Sequence, residues 1–229
     1  MIVWDGIVSD DIGLYVEHYP GIVLPTRKVS FVSIPGRSGD VLVRDDSFQN
    51  VTLTYDVYIT ETKNFLAKQR EITQFLYKAG YRELSDSYDV GITRIAAFIG
   101  GQEFESNMNR AGRATIEFNA RPQRYITANL ETKPYTSAMT LWNPTGNEAR
   151  PLIVVNGTGT GTLTVGNQTV SFSSLPVILD CEEQNAYYGG LNMNNTVTGE
   201  FPVLPAGETG FSWTGGVTGI EIAERWYYL

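Results

Sequence analysis

Few side chains in this sequence are placed to do chemistry. His18 is the single histidine and Cys181 the single cysteine, so a Ser-His-Asp relay or a Cys-His pair would have to pass through one of them. Flanked by Tyr15 and Tyr19, His18 reads as a surface or half-buried structural residue rather than a base. One histidine and one cysteine cannot close a zinc site of three or four N and S ligands. A lone cysteine also forms no disulfide within the chain, and at the end of "PVILDC" it reads as a buried, inert thiol. Asp180, Glu182 and Glu183 are the densest carboxylate cluster. A glycosidase holds two carboxylates about 5 to 9.5 Å apart across a cleft. Three near neighbours in sequence read instead as a solvated strand end. No catalysis, metal or cofactor is expected.

The stretch "SIPGRSGD", Ser33 to Asp40, invites two further readings. A phosphate-cradling loop needs Gly-Lys-Ser/Thr leading into a helix. Here Gly36-Arg37-Ser38-Gly39 leads into Asp40 and the strand-like "VLV", and Asp45 and Asp46 add negative charge nearby. A strained nucleophile turn needs Gly-x-Ser-x-Gly between strand and helix, and that spacing is missing. What is left is a tight turn between strands that projects one fixed cation, Arg37. With Asp40 and Arg44 it forms a candidate subunit-interface set. "NGTGTGTLTVG" has glycines at 157, 159 and 161, not the dinucleotide spacing, and reads as loop and hairpin.

The elements that would carry these residues are mostly strands. "NVTLTYDVYIT" alternates with period two, setting Val51, Leu53, Tyr55, Val57 and Ile59 on one face. "KVSFVSI", "GITRIAAFIG" and "AGRATIEFNARPQRYI" read the same way, the last with Ala114, Ile116, Phe118 and Ala120 in line. One helix is expected over 63–79, capped by Thr60 or Thr62 and stopped by Gly80. Its apolar stripe is Phe65, Leu66, Ile72, Phe75, Leu76 and Ala79. After "NLETKPYTSAMTLWNPTGNEARP" no helical stripe recurs. Short apolar runs separated by Gly, Asn and Pro suggest a second, all-β sandwich, with Gly166-Asn167 as a hairpin turn. The expected domains are 1–128, with the helix, and 129–229.

Charge is uneven along the 229 residues. Residues 1–130 carry 14 Lys and Arg against 16 Asp and Glu, and residues 131–229 carry 3 against 9. The second part therefore repels phosphate backbones. No apolar run reaches membrane-spanning length. The opening "MIVWDGIVSDD" meets Asp5 at once and has no basic stretch, unlike a secretion signal.

Several segments, in this order, carry a resemblance over nearly the whole chain: "GIVSDDIGLYVE", "SIPGRSGD", "FLYKAG", "YRELSDSYDVGITRIAAF", "GRATIEFNARPQRY", "LWNPTGNEARPLIVVNGTGTGTLTV", "VILDCEEQNAYY", "GEFPVLPAGETGFSW" and "IEIAERWYYL". The sequence resembles the distal tail proteins (Dit) of siphophages. The resemblance implies a mainly β chain with a tail-tube-like N-terminal β-sandwich, one flanking α-helix and a galectin-like C-terminal β-sandwich. It implies a non-enzymatic virion structural protein at the phage tail tip, assembled in the host cytoplasm. A homo-hexameric ring would join the tail tube protein to the tail-associated or baseplate hub protein and to receptor-binding proteins. Its lumen would pass tape measure and DNA, and no membrane contact is implied. Residues 1–128 are expected to carry the ring, since the strand "NVTLTYDVYIT" and the helix could build a wall and the second domain has only short strands. Residues 129–229, with their excess of acid, are expected to stand outward.

Galectin-like sandwiches can bind glycans, which gives a second reading, a carbohydrate-binding adhesion module. Trp142, Trp213 and Trp226 would stack on sugar rings, as could Tyr187-Tyr188 and Tyr227-Tyr228. Core packing or subunit contact is the favoured role for these aromatics. A glycoside hydrolase using Asp180 with Glu182 or Glu183 is the weakest reading.

Overall fold

The structure, a computed structural model, describes residues 1–60, 64–101, 105–107 and 111–229, with the backbone alone at Asp46 and 105–107. It is mainly β, as its periodicity suggests. The chain divides into two compact units, Met1–Arg124 with Leu229, and Tyr125–Tyr228.

In the first unit the elements are β1 (Ile2–Trp4), β2 (Ile7–Val8), β3 (Leu14–His18), β4 (Arg27–Val32), β5 (Val41–Phe48), β6 (Val51–Ile59), α1 (Phe65–Leu76), β7 (Arg82–Asp86), β8 (Ile92–Gly101), β9 (Glu105–Asn107) and β10 (Ala111–Ile126). One antiparallel sheet runs β2-β1-β7-β8-β10-β6-β3, with β9 added on β10. The alternation along β6 is realised, with Val51, Leu53, Tyr55, Val57 and Ile59 all buried. Opposite them Ala114, Ile116, Phe118 and Ala120 of β10 are buried in register, Tyr55 facing Ile116 and Leu53 facing Phe118. Each large side chain withdrawn from water in this way contributes about 1.5 to 3 kcal/mol.

The helix is shorter than expected and is capped differently. Asn64, not Thr60, is the N-cap: its side chain accepts from the Ala67 amide at 3.3 Å. The expected start at Thr62 and Lys63 lies outside the described residues. The helix ends at Leu76, with Tyr77 as C-cap, before Gly80 is reached. Phe65, Ile72, Phe75 and Leu76 enter the core, whereas Leu66 stays exposed. Trp4 Nε1 donates to the Leu76 carbonyl at 3.3 Å and its ring meets Phe118 at 4.8 Å, so β1, the end of α1 and β10 are locked together.

The second unit contains β11 (Lys133–Tyr135), β12 (Met139–Asn143), β13 (Leu152–Val165), β14 (Gln168–Phe172), β15 (Val177–Asp180), β16 (Asn185–Tyr188), β17 (Leu191–Asn192), β18 (Val197–Thr198), β19 (Gly207–Ala223) and β20 (Tyr227–Tyr228). Its sheet is ordered β11-β19-β13-β15-β16-β17, with β12 on β19, β14 on β13 and β18 on β14. Val165 pairs with Gln168 across Gly166-Asn167, the tight hairpin read from sequence. The strands here are not all short. β13 has 14 residues and β19 has 17, and they pair from Leu152–Ala223 to Val165–Phe211. "NGTGTGTLTVG" is therefore largely one continuous strand rather than a loop. The ladder is irregular across these glycines, its register shifting between Asn156 and Gly157 and again between Gly157 and Gly161, and they allow the two backbones to approach closely there. A Cβ on Gly216 would lie 1.8 Å from the Thr158 carbonyl oxygen, a position no side chain can take.

Candidate interaction surface

The turn "SIPGRSGD" belongs to an arm. β4 and β5 form a two-stranded sheet of their own, hydrogen-bonded to no other described strand. Pro35-Gly36 closes the tip. The Arg37 amide donates to the Ile34 carbonyl at 3.1 Å and Gly36 has φ +81°, the geometry of a type II turn with Pro at its second and Gly at its third position. Gly39, at φ +83°, turns the chain back into β5. The base is held by Gln49 donating to the Thr26 carbonyl at 2.8 Å and by the Arg27 guanidinium 4.7 Å over the Phe48 ring. Asp45 accepts from the Ser47 amide and hydroxyl at 2.9 and 2.8 Å, and those two bonds hold its carboxyl below the usual range.

All six residues of β4 are exposed. Val29 faces Arg44 and Phe31 faces Leu42 on one side of the arm; Ser30 faces Val43 and Val32 faces Val41 on the other. Both sides are thus apolar, and Phe31 is 67% exposed. Arg37 and Asp40 are exposed at the tip and Arg44 on the shaft, so the expected interface residues all lie on this arm. The twist of the pair leaves a hollow of about 470 Å³ beside Arg27, Lys28, Arg44 and Asp45. Sequence reasoning found the turn and missed the arm. A strand apolar on both faces ordinarily means a fully buried strand, so the pattern pointed to a core that this segment lacks.

The other candidates are accounted for by structure. The Arg225 guanidinium donates to both oxygens of Asp180, Nη1 to Oδ1 at 2.7 Å and Nη2 to Oδ2 at 3.3 Å. Asp180 Oδ1 also accepts from the amides of Glu182 and Glu183. Burial alone would push the Asp180 carboxyl up; the Arg225 hydrogen bonds and charge, with those amides, outweigh it and hold it below its ordinary value. The carboxylate cluster thus ties a turn to the end of the chain. His18 Nδ1 lies 3.7 Å from Asp56 Oδ2, both well exposed. Cys181 is buried, and burial pushes its thiol up to about 12. Among the described residues no group of three or more His, Cys, Asp or Glu could hold a metal ion. No helix of the structure is long and apolar enough to cross a membrane.

The three tryptophans do not share a platform. Trp142 on β12 is 62% exposed and paired opposite Glu208. Trp213 follows Thr209 and Phe211 on the buried side of β19 and packs against the second core. Trp226 is 9% exposed within that core, which removes its ring from any sugar.

Two buried charge groups carried no sequence signal. In the first unit Arg124 donates to Asp89 at 2.6 Å and Tyr55 Oη donates to Asp86 at 2.7 Å; burial, and then the neighbouring Arg124, lower the pKa of buried Arg94. In the second, Glu224 is 2% exposed and accepts from Asn129 Nδ2 at 2.9 Å and Lys133 Nζ at 3.2 Å. Both are internal fastenings.

No family model and no curated protein matches the sequence. Solved structures do. The Dit protein of phage SPP1, described as a paradigm of hub adsorption apparatus in phages infecting Gram-positive bacteria, superposes with a TM-score of 0.70 at 12% identity, over 100% of this chain and 98% of that one. A chain of the phage P2 baseplate in its activated conformation with Ca gives 0.56 at 7% identity, over 92% of this chain and 89% of that one. The same baseplate with Sr gives 0.55 at 8%, with the same coverage. The whole chain has a Dit-like fold.

Proposed function

We propose that this chain, folded throughout as the SPP1 Dit protein is, works as a structural hub at the tip of a phage tail. The observation that carries the reading is the likeness of fold over the full length of both chains, with no inserted domain left over on either. In this reading several copies, six as the resemblance to distal tail proteins implies, close into a ring. The ring joins the tail tube to the baseplate or receptor-binding apparatus and leaves a lumen for tape measure and DNA. The work is done by surfaces rather than by a reaction.

Residues 1–128 are assigned to the ring, with Arg37, Asp40 and Arg44 at the contact between subunits. Residues 129–229 are assigned to the periphery, in a galectin-like role as a docking domain. Strand length does not support this division, since β13, with 14 residues, and β19, with 17, are comparable to β10, with 16. Charge does support it: 3 cations against 9 anions in residues 131–229 favour keeping copies of that domain apart. Negative-stain microscopy of the purified protein tests the reading, with closed rings around a central hole as the expected image. Compact single particles at every concentration would refute it. A carbohydrate-binding reading retains one observation, the exposed Trp142, and a glycan array that lights up with the native chain and goes dark with Trp142→Ala would favour it.

A further inference from the structure

The outer face of the second unit's sheet carries a lattice of hydroxyl groups. Thr214 of β19 stands opposite Thr162 of β13, Thr162 opposite Ser171 of β14, and Ser171 opposite Thr198 of β18, so one row crosses four strands. Two residues along, Ser212, Thr164 and Thr169 make a second row across three of them. None of these side chains is buried, while Leu163, Val165, Val170, Phe172 and Phe211 of the same strands fill the core on the other face. The hydroxyls of Thr162 and Thr214 share a hydrogen bond, as do those of Thr164 and Thr169 at 3.4 Å, which steadies the side chains against one another. Neither row holds any of the 3 cations and 9 anions of residues 131–229. Strand propensity accounts for a threonine here and there, not for two unbroken rows of hydroxyls.

We infer that this face binds an extended, uncharged polysaccharide lying across the strands, one sugar unit to each strand. Three observations select that ligand. Neighbouring strands lie about 4.8 Å apart, close to the advance of one pyranose unit in an extended chain, so successive rings meet successive hydroxyls of the four-strand row. The second row, about 7 Å further along the strands, meets groups on the other edge of the rings. Each hydroxyl offers one donor and two acceptors, the same groups that a sugar presents, and the bonds within the lattice leave part of that capacity for a ligand. Finally, 9 anions against 3 cations in residues 131–229 turn away a phosphorylated or uronic polymer and leave a neutral one. The site is separate from Trp142, which stands opposite Glu208, well along β19 from Ser212, and it needs no ring of subunits.

The test uses the full chain and NMR titration with oligosaccharides of increasing length from three neutral polymers, a β-1,4-glucan, a β-1,4-mannan and a β-1,4-linked N-acetylglucosamine polymer, with polygalacturonate as the charged control. At least one neutral series is expected to bind, gaining affinity up to four units and levelling beyond, while polygalacturonate stays silent. Thr162→Val with Thr214→Val removes both partners of one hydroxyl pair and keeps the side-chain shape, which is close to neutral for the fold. Ser171→Ala with Thr198→Val clears the other two strands of the row. Each pair should weaken binding about 10-fold or more with melting unchanged, and Trp142→Ala should leave it as it was. No binding of any neutral series at millimolar concentration, tighter binding of polygalacturonate, or wild-type affinity in both paired variants overturns the inference. Affinity that does not rise between two and four units overturns the register of one unit per strand. Loss of binding in Trp142→Ala alone moves the ligand to Trp142 and overturns the lattice.

Discussion

Asp180 and Arg225 are the sharpest place to test the reading that the carboxylate cluster is a fastening. Both side chains are largely withdrawn from water, at 15% and 20% exposure, and they meet through two hydrogen bonds. Asp180→Asn keeps an oxygen for the Glu182 and Glu183 amides but loses the charge and sets an amide N–H against Arg225 Nη2. Hydrogen bonds to charged groups contribute about 1.5 to 3 kcal/mol, and a half-buried guanidinium left without its partner costs more. Glu182, 3.7 Å from Arg225, recovers a little. The expected loss is about 2 to 3 kcal/mol, or roughly 10 to 20 °C in Tm for a unit of this size. Arg225→Met, which keeps the apolar stem, should cost about as much, and the double variant should show a coupling of about 1.5 to 2 kcal/mol rather than additivity. The dependence on pH follows from the direction of the Asp180 shift. Its folded pKa is depressed, so the contribution is whole above the unfolded value of about 3.9 and is lost as pH falls through the lower folded value. Wild type and Asp180→Asn should therefore differ fully from pH 7 down to about pH 4 and converge in thermal melts only as pH falls further, through the lower folded value. A coupling under about 0.5 kcal/mol, or a gap that persists unchanged at acid pH, would refute the reasoning.

Three further outcomes are expected. Gly216→Ala should unfold the second unit or cost more than about 4 kcal/mol, because its methyl group would meet the Thr158 carbonyl oxygen at 1.8 Å; circular dichroism with thermal melting reads this directly. Arg37→Ala should leave the melting of the chain within about 0.5 kcal/mol of wild type while shifting the assembly towards single chains in light scattering, and assembly equal to wild type would remove Arg37 from the interface. Cys181, buried and with its thiol pushed up to about 12, should resist a thiol-reactive dye at pH 8 until denaturant is added.

Much of the fold was legible because period two survives wherever one side of a strand is wet. β6 and β10 begin and end within a residue or so of their patterns, and the residues assigned to one face are those found buried. The helix was legible by its stripe but not by its cap, since Asn64 takes the role expected of Thr60 or Thr62. Glycine misled the reading of β13 and β19. It was read as punctuation, whereas at Gly157 and Gly216 it is what lets two long strands cross. The candidate interaction surface was half legible: Pro35-Gly36 announced its turn and Arg37 its projection. That Phe31 and Val32 stay exposed is a matter of tertiary context, and no local pattern separates an exposed strand from one covered twice. The tryptophans show the same limit, since composition names four rings and only topology tells that two of them, Trp4 and Trp226, lie in cores.

If the chain assembles as proposed, its arm also sets a kinetic demand. Each copy carries a short apolar sheet whose two outer edges pair with no other described strand. Pairing of one such edge with another would grow without closing, and it would compete with the proposed ring at every encounter. Its rate rises with subunit concentration, so slow stepwise growth favours fibres and a rapid, cooperative closure favours rings. In that proposed assembly the yield of closed rings would be a race decided in the first encounters, and cooling or dilution would change its winner without altering the stability of either unit.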